Sequence, residues 1–404
     1  MQRQALVLSF ALLLGFAVCA HAQTPPAATP DLRLEAFVSG VWEPGQVYVT
    51  LRQPDGRMLI GGRFGRADGG IVRSALLRLN REGSIDTGFA PLLAGLSTVN
   101  VYSLAVHGGA IYVGGFFETV NGATMRSIVR LRMDGSIEPG WNSPFSSAAA
   151  NQVQSIAVTA SGVYVGGDIS EQDRYGLARL ATATGALDVA WIAQTQFGVT
   201  GTPNGGNRGE VTAMIADSDD LIVAGQFGQV AGVARTGIAR ISQSAPVSVR
   251  AFDGQVSGRV DALQASGTQL YIGGNFFRGN PAINYLNRID ATSGAVDASW
   301  APNTTGSVEG LRLIGDRLYV GGSFTNQPPG GARLLRIATS GNGAIDGTFN
   351  PGANNTVLTL ADTCRGNLLA GGTFTQMSGL VRNAFAAFPV PQIDCIFHGD
   401  FEVQ

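Results

Sequence analysis

The chain has 404 residues, 45% of them hydrophobic and 14% charged, with a formal net charge of −2. That length and composition support a large buried core, and the near-neutral balance removes the electrostatic reason to expect nucleic acid or an anionic membrane as partner. All 27 basic residues are Arg, which excludes Schiff-base, phosphate-loop and general-base chemistry that needs a lysine.

Arg3, an apolar run from Ala5 to Val18 and then Ala20-His21-Ala22 form the pattern of a secretory signal, cleaved before Gln23. The run is too short to cross a bilayer as a helix. The alternative, a lipid anchor on Cys19, is disfavoured because Val18 stands where a small residue is needed. The expectation is export to the periplasm or beyond, with residues 1–22 removed and no later membrane insertion. Residues 23–30, rich in Pro, Ala and Thr, read as a flexible leader. Export leaves Cys364 and Cys395 as an even pair, expected to form one disulfide in an oxidising compartment. A loop of that length is worth on the order of 3–4 kcal/mol in the chain-entropy model.

From Leu34 onward the chain repeats. Ile111-Tyr112-Val113-Gly114-Gly115-Phe116-Phe117 has counterparts at Gly61-Gly62, Gly166-Gly167, Ala224-Gly225, Gly273-Gly274, Gly321-Gly322 and Gly371-Gly372. The period is about 50 residues. An apolar landmark precedes the motif by ten residues in six copies (Leu51, Leu104, Ile156, Met214, Leu263, Leu311) and by eleven in the seventh, Leu360. Three residues before it stands Val101, Val153, Val211, Val260, Val308 or Val357, with Tyr48 in the first copy. An interval held that tightly implies a hairpin of fixed register, and turn dipeptides such as Asp55-Gly56 and Gly108-Gly109 fit it. A second hairpin follows each motif. Its first arm carries Arg and an aliphatic, as in Arg78-Leu79. Its second arm carries an acid three residues before an aromatic, as in Asp86 and Phe89 or Asp297 and Trp300.

Four short antiparallel strands per period, seven times over, predict an all-β fold: a seven-bladed β-propeller of four-stranded antiparallel blades over residues 31–389. Glycine pairs inside a strand mark a bulge or close backbone approach. A phosphate-cradling loop is the poorer reading, because no helix start or Lys follows. Leu34 to Phe37 stands one period ahead of the Phe89 arm, and the last repeat, read to Phe388, shows only three strands. The N-terminal strand is therefore expected to complete the seventh blade and close the ring. Residues 390–404 read as a tail tied down by the disulfide.

Arg-Leu-x-x-x-Gly-Ser-Ile-Asp-x-x-Phe at 78–89, with Gly61-Gly62-Arg63-Phe64 upstream, resembles the delta-60 repeat family of bacterial propeller-like domains. The resemblance spans roughly residues 34–388 and implies an exported propeller, with no shared reaction. Departures are Ile169 for Phe, Ala224 for Gly, and Val249 at the acid's place in the fourth repeat. Cys395 to Glu402 is similar to a short tail on exported proteins of some Gram-negative bacteria.

No catalytic, cofactor or metal residue is assigned. The Arg and acid of each repeat read as a structural ladder of ion pairs, against the alternative of a carboxylate ring for metal or sugar. His107 and His398 lack the partners of a histidine metal site. Asp217, Asp219 and Asp220 read as a turn; calcium would need spaced ligands and a distal Glu. One insertion breaks the period, Thr200 to Arg208. Thr202, Asn204, Asn207 and Arg208 in it are the candidate recognition residues, since long loops on rigid scaffolds carry binding. The functional expectation is a monomeric binding or structural module for an unidentified envelope protein or glycan. The alternative, a propeller lyase or hydrolase, requires clustered, pKa-shifted acids in a central funnel.

Overall fold

A computed structural model describes residues 32–68, 70–196, 208–278, 284–325, 332–363 and 366–390. No helix occurs among them. Seven antiparallel three-stranded sheets follow the repeats, each a meander in which the middle strand pairs with both neighbours. Their first strands are Gln46–Arg52, Asn100–His107, Asn151–Thr159, Glu210–Asp217, Ser257–Ser266, Val308–Ile314 and Val357–Thr363. The fourth arm of six repeats touches the third strand through a single bridge, such as Leu79 to Ile85 or Ile337 to Ile345.

Every first strand carries a bulge at the same place, opposite the glycine pair. This gives each glycine its own cause. A Cβ on Gly62 would lie 2.0 Å from the Gln46 carbonyl oxygen of the bulge it faces. A Cβ on Gly61 would lie 2.5 Å from Val101 Cγ1 of the next sheet. The same pair of approaches recurs from sheet to sheet. In the last one, a Cβ on Gly371 would meet Val47 Cγ1 of the first sheet at 2.4 Å. The valines before the bulges are fully buried, so the faces of successive sheets lock valine into glycine.

The structure corrects the register read for the first repeat. Thr50, not Leu51, pairs as Leu104 does: Thr50 opposes Ile60 while Leu104 opposes Val113. Val47, not Tyr48, therefore holds the valine place. The extra residue lies in the turn closed by Gln53 N–H donating to Arg57 O (2.8 Å).

The N-terminal strand is a second correction. Leu34–Val38 pairs with Val41–Pro44, and Leu34 and Glu35 oppose Ala67 and Arg66; it pairs with no strand of the last sheet. Ser39 and Gly40, with φ of 50° and 88°, fold the chain straight back, and a two-residue turn closes at far smaller entropic cost than a partner some 340 residues away. Phe37, 59% exposed, stacks on Trp42 with centroids 5.2 Å apart. Arg66 covers Trp42 at 3.9 Å.

The first and last sheets nonetheless meet. Thr50 N–H donates to Thr359 Oγ1 (3.2 Å), and the two hydroxyls are 3.1 Å apart. Val47, Met58 and Ile60 share one buried cluster with Ala361, Leu369 and Phe385.

Candidate functional site

A cavity of about 140 Å³ is lined by all seven first strands. The bulge decides what faces it. One unpaired residue per strand is re-aimed away from the sheet, and these are Tyr48, Tyr102, Gln154, Thr212, Asp261, Glu309 and Leu358, every one on the cavity wall. The valines and glycines around them repeat; these seven do not.

The wall has two chemical halves. On one, the Tyr48 and Tyr102 rings lie 5.2 Å apart. Burial pushes the Tyr102 phenol up to about 12, with Tyr48 and Glu210 adding and Arg63 opposing. On the other stand Asp261 and Glu309, with Glu210 behind. Burial raises Asp261 to about 6, Glu309 and Glu210 add to it, and Arg259 opposes. Arg259 binds Glu210 (Nη1 to Oε2, 2.6 Å) and also donates to Asp261. Gln154 donates to Glu210. Ser307 donates to Glu309 at 2.7 Å, and Thr212 to the Val260 carbonyl at 2.7 Å. The lining residue Arg312 holds the Asp362 side chain, 1% exposed, at 2.5 Å. The site offers apolar ring faces beside carboxylates, amide and hydroxyl. Among the described residues no group of three His, Cys, Asp or Glu is placed to hold a metal ion.

Of the candidate recognition residues, Arg208 is exposed, its guanidinium 5.8 Å from the Tyr175 ring. It stands two residues before Glu210, where the fourth sheet's first strand begins. Thr202, Asn204 and Asn207 lie outside the described residues, as do Cys364, Cys395, the leader and the tail from Pro391 onward. His107 is half-buried at a strand end, away from the cavity lining.

The Arg–acid ladder is structural. Arg78, Arg179, Arg288 and Arg336 bind Asp86, Asp188, Asp297 and Asp346 at 2.5–2.8 Å. The same guanidinium reaches the next sheet in five repeats; Arg240, for example, donates to Ala291 O at 2.8 Å. Arg78, Arg130, Arg179, Arg240 and Arg288 thus each tie two sheets together. In the fourth repeat the pairing corrects the sequence reading. Val249 bridges to Ile241, and Arg250 N–H donates to Arg240 O as Asp86 N–H does to Arg78 O. A cation therefore holds the acid's place, not Val249. Asp220, from the first turn, lies between the two arginines, 2.8 Å from Arg240 and 2.7 Å from Arg250, and Asp217 adds 2.7 Å to Arg240. Burial alone would raise Asp220, but the hydrogen bonds from Arg250 and Arg240 hold its carboxyl below the ordinary range. The acidic cluster is this compensation.

A family model described as "Domain of unknown function (DUF5122) beta-propeller" matches residues 53–89 and 109–140. The fold is a β-propeller. That description brings no reaction or ligand with it. No curated protein matches the propeller. Among solved structures, the computationally designed Ika8 protein superposes with a TM-score of 0.50 at 10% identity, over 89% of this chain and 100% of that one. The extracellular domain of the putative one component system BT4673 from B. thetaiotaomicron gives 0.48 at 14% identity, over 88% of this chain and 40% of that one. At such identities the first likeness concerns architecture only.

The cavity residues escaped the sequence reading. Their signal was there: the residue after each repeat valine changes from Tyr to Gln, Thr, Asp, Glu and Leu while the valine before it recurs.

Proposed function

We propose that the protein is an exported, ring-closed propeller of seven blades that binds a polyhydroxylated ligand, the end of an envelope glycan, at the mouth of the seven-strand cavity. One observation carries the reading. The position that the bulge turns toward the cavity changes from repeat to repeat, and the side chains gathered there include two phenol rings 5.2 Å apart and the half-buried carboxylates of Asp261 and Glu309. Ring faces and carboxylates together match the apolar faces and hydroxyls of a sugar. Ring closure is supported by the Thr50–Thr359 and Val47–Gly371 contacts, and export by the N-terminal sequence. The Thr200–Arg208 insertion, including Thr202, Asn204 and Asn207, joins the same surface because Arg208 leads into Glu210. A cavity of about 140 Å³ is below the usual ~300–1,000 Å³ of a small-molecule pocket, so the ligand rests on the rim and inserts only its terminal group.

The test is titration of the mature protein against envelope polysaccharides and their fragments. Binding should be present in the wild type and weakened at least ~10-fold in Tyr102→Ala and in Glu309→Gln, which is about 1.4 kcal/mol. Unchanged affinity in both variants would reject the site. A hydrolase or lyase reading is favoured by Asp261 alone, whose raised pKa beside Glu309 is the feature that reading requires. It predicts release of new reducing or unsaturated ends, lost in Asp261→Asn; binding without product release decides for the module.

A further inference from the structure

The seventh sheet ends at Phe385–Pro389 with no fourth arm among the described residues. At earlier seams the arm's aromatic seats on the glycine turn of the following sheet. Phe89 lies 3.0 Å from where a Cβ on Gly135 would be, and Trp141 and Trp300 lie 2.8 Å from those on Gly185 and Gly343. At the seam from the seventh sheet to the first, that seat is a cavity of about 260 Å³ lined by Met58, Leu79, Gly83, Phe385 and Ala387. Apolar cavities of ~150 Å³ already hold a benzene ring.

The sequence just beyond Val390 carries the missing motif. Ile393-Asp394-Cys395-Ile396-Phe397 repeats Ile85-Asp86-Thr87-Gly88-Phe89 and Ile345-Asp346-Gly347-Thr348-Phe349 in its aliphatic, acid and aromatic places. The spacing is shorter than in the other repeats: Ile393 follows Phe388 by five residues, against six from Leu79 to its bridge partner Ile85 and six to eight across the six bridged repeats, a hairpin one residue tighter than the shortest of them. We propose that residues 392–397 fold back on Phe385–Pro389 as the seventh sheet's own fourth arm, with Phe397 in the seam cavity against Gly83. The sheet is then completed by the C-terminal segment, in the place that the sequence reading gave to the N-terminal strand. The arm also brings Cys395 toward the Cys364 turn. In the first and fourth sheets the equivalent turn and arm touch, through Arg57 to Asp86 at 3.4 Å and Asp220 to Arg250 at 2.7 Å.

The experiment is hydrogen exchange and urea unfolding on the full mature chain, with Phe397→Ala and the tail control Phe401→Ala. Amides 393–397 should exchange more than ~100-fold slower than an unstructured peptide. Phe397→Ala should lower the urea midpoint and speed exchange at 79–83 and 385–389, while Phe401→Ala changes neither. A cycle tests the register. Ala387 stands where other sheets carry Arg, so Ala387→Arg should raise the midpoint through Asp394, and the gain should vanish in Ala387→Arg with Asp394→Asn. Peptide mapping without reductant should recover Cys364 joined to Cys395. Unprotected amides at 393–397, equal effects of the two phenylalanine variants, protection of residues 23–31 in their place, or a concentration-dependent midpoint from a second copy would each overturn the proposal. It shares only the seam with the ligand reading, and failure here leaves the glycan titration unaffected.

Discussion

Adjacent glycines in the fifth sheet give the sharpest test of why the motif is a pair. A Cβ on Gly274 would lie 2.2 Å from Arg259 O, 2.8 Å from Val260 Cα and 2.9 Å from Asp261 N, all backbone. Relief requires moving the bulge or the middle strand, and the Gly274 N–H is committed to Tyr285 O at 2.9 Å. Overpacking costs about 1–3 kcal/mol, and each backbone hydrogen bond lost adds about 1 kcal/mol. Gly274→Ala should therefore destabilise by about 2–4 kcal/mol. A Cβ on Gly273 meets chiefly a side-chain methyl, Val308 Cγ1 at 2.4 Å, which a small separation of the sheets relieves. The fourth repeat carries Ala224 at this place, fully buried. Gly273→Ala should cost about 1–2 kcal/mol. Urea unfolding of both variants, followed by circular dichroism, reads the difference. Equal midpoints, or Gly274→Ala within about 1 kcal/mol of the wild type, would refute the assignment of the second glycine to its own bulge.

Ring closure predicts that Val47→Ala, at the seam, destabilises as much as Val211→Ala, at an interior interface, by about 1–3 kcal/mol each; a markedly smaller seam effect in urea unfolding would argue for an open stack. Asp261 titrates above its unfolded value, so between about pH 4 and 6 the folded state holds the extra proton and stability falls as pH rises. Asp261→Asn should remove that slope and stabilise the protein at pH 7.5, by about 3 kcal/mol at most, and a less stable variant there would contradict the burial argument. Asp86, Asp188, Asp297 and Asp346 are shifted the other way, below their ordinary values. Their stabilisation is complete above about pH 4 and drains as pH falls through the folded pKa values, so acid titration of Asp261→Asn should show a single loss of stability below pH 4. Asp220→Asn should destabilise by about 1–3 kcal/mol, because Arg240 and Arg250 then face each other with Asp217 alone between them; thermal unfolding checks it.

The repeat period, its strands and the glycine pairs were legible because they answer to local rules: turn chemistry, alternation and the space beside a bulge. The Gly62 position is dictated by a contact every copy reproduces and the Gly61 position by one that six of the seven reproduce, so they stand out in one chain read against itself. What misled was each place where two signals competed. A turn longer by one residue at 53–57 moved the first repeat out of step and hid Val47 behind Tyr48. Counting three residues back from Phe252 pointed to Val249, whereas the hydrogen bond from Arg250 N–H to Arg240 O places the arm one residue later. Phe37 looked like an arm aromatic by period, but Ser39-Gly40 turns its strand into a local hairpin, and no arithmetic of spacing registers that competition.

The bulge separates the residues that line the cavity from those that pack one sheet on the next within one short strand. Val260 is buried against the neighbouring sheet and cannot change without a cavity, and Gly274 cannot accept a Cβ. Asp261, between them in the bulge, pairs with no residue of the middle strand and faces the cavity. Substitution there alters the wall and leaves the sheet contacts intact. The same holds for Tyr48 and Glu309. A propeller built this way can exchange its seven bulge residues one at a time while its scaffold repeats, so the mixture of phenols, acids and amide is free to vary, whereas packing restrains the valines and glycines.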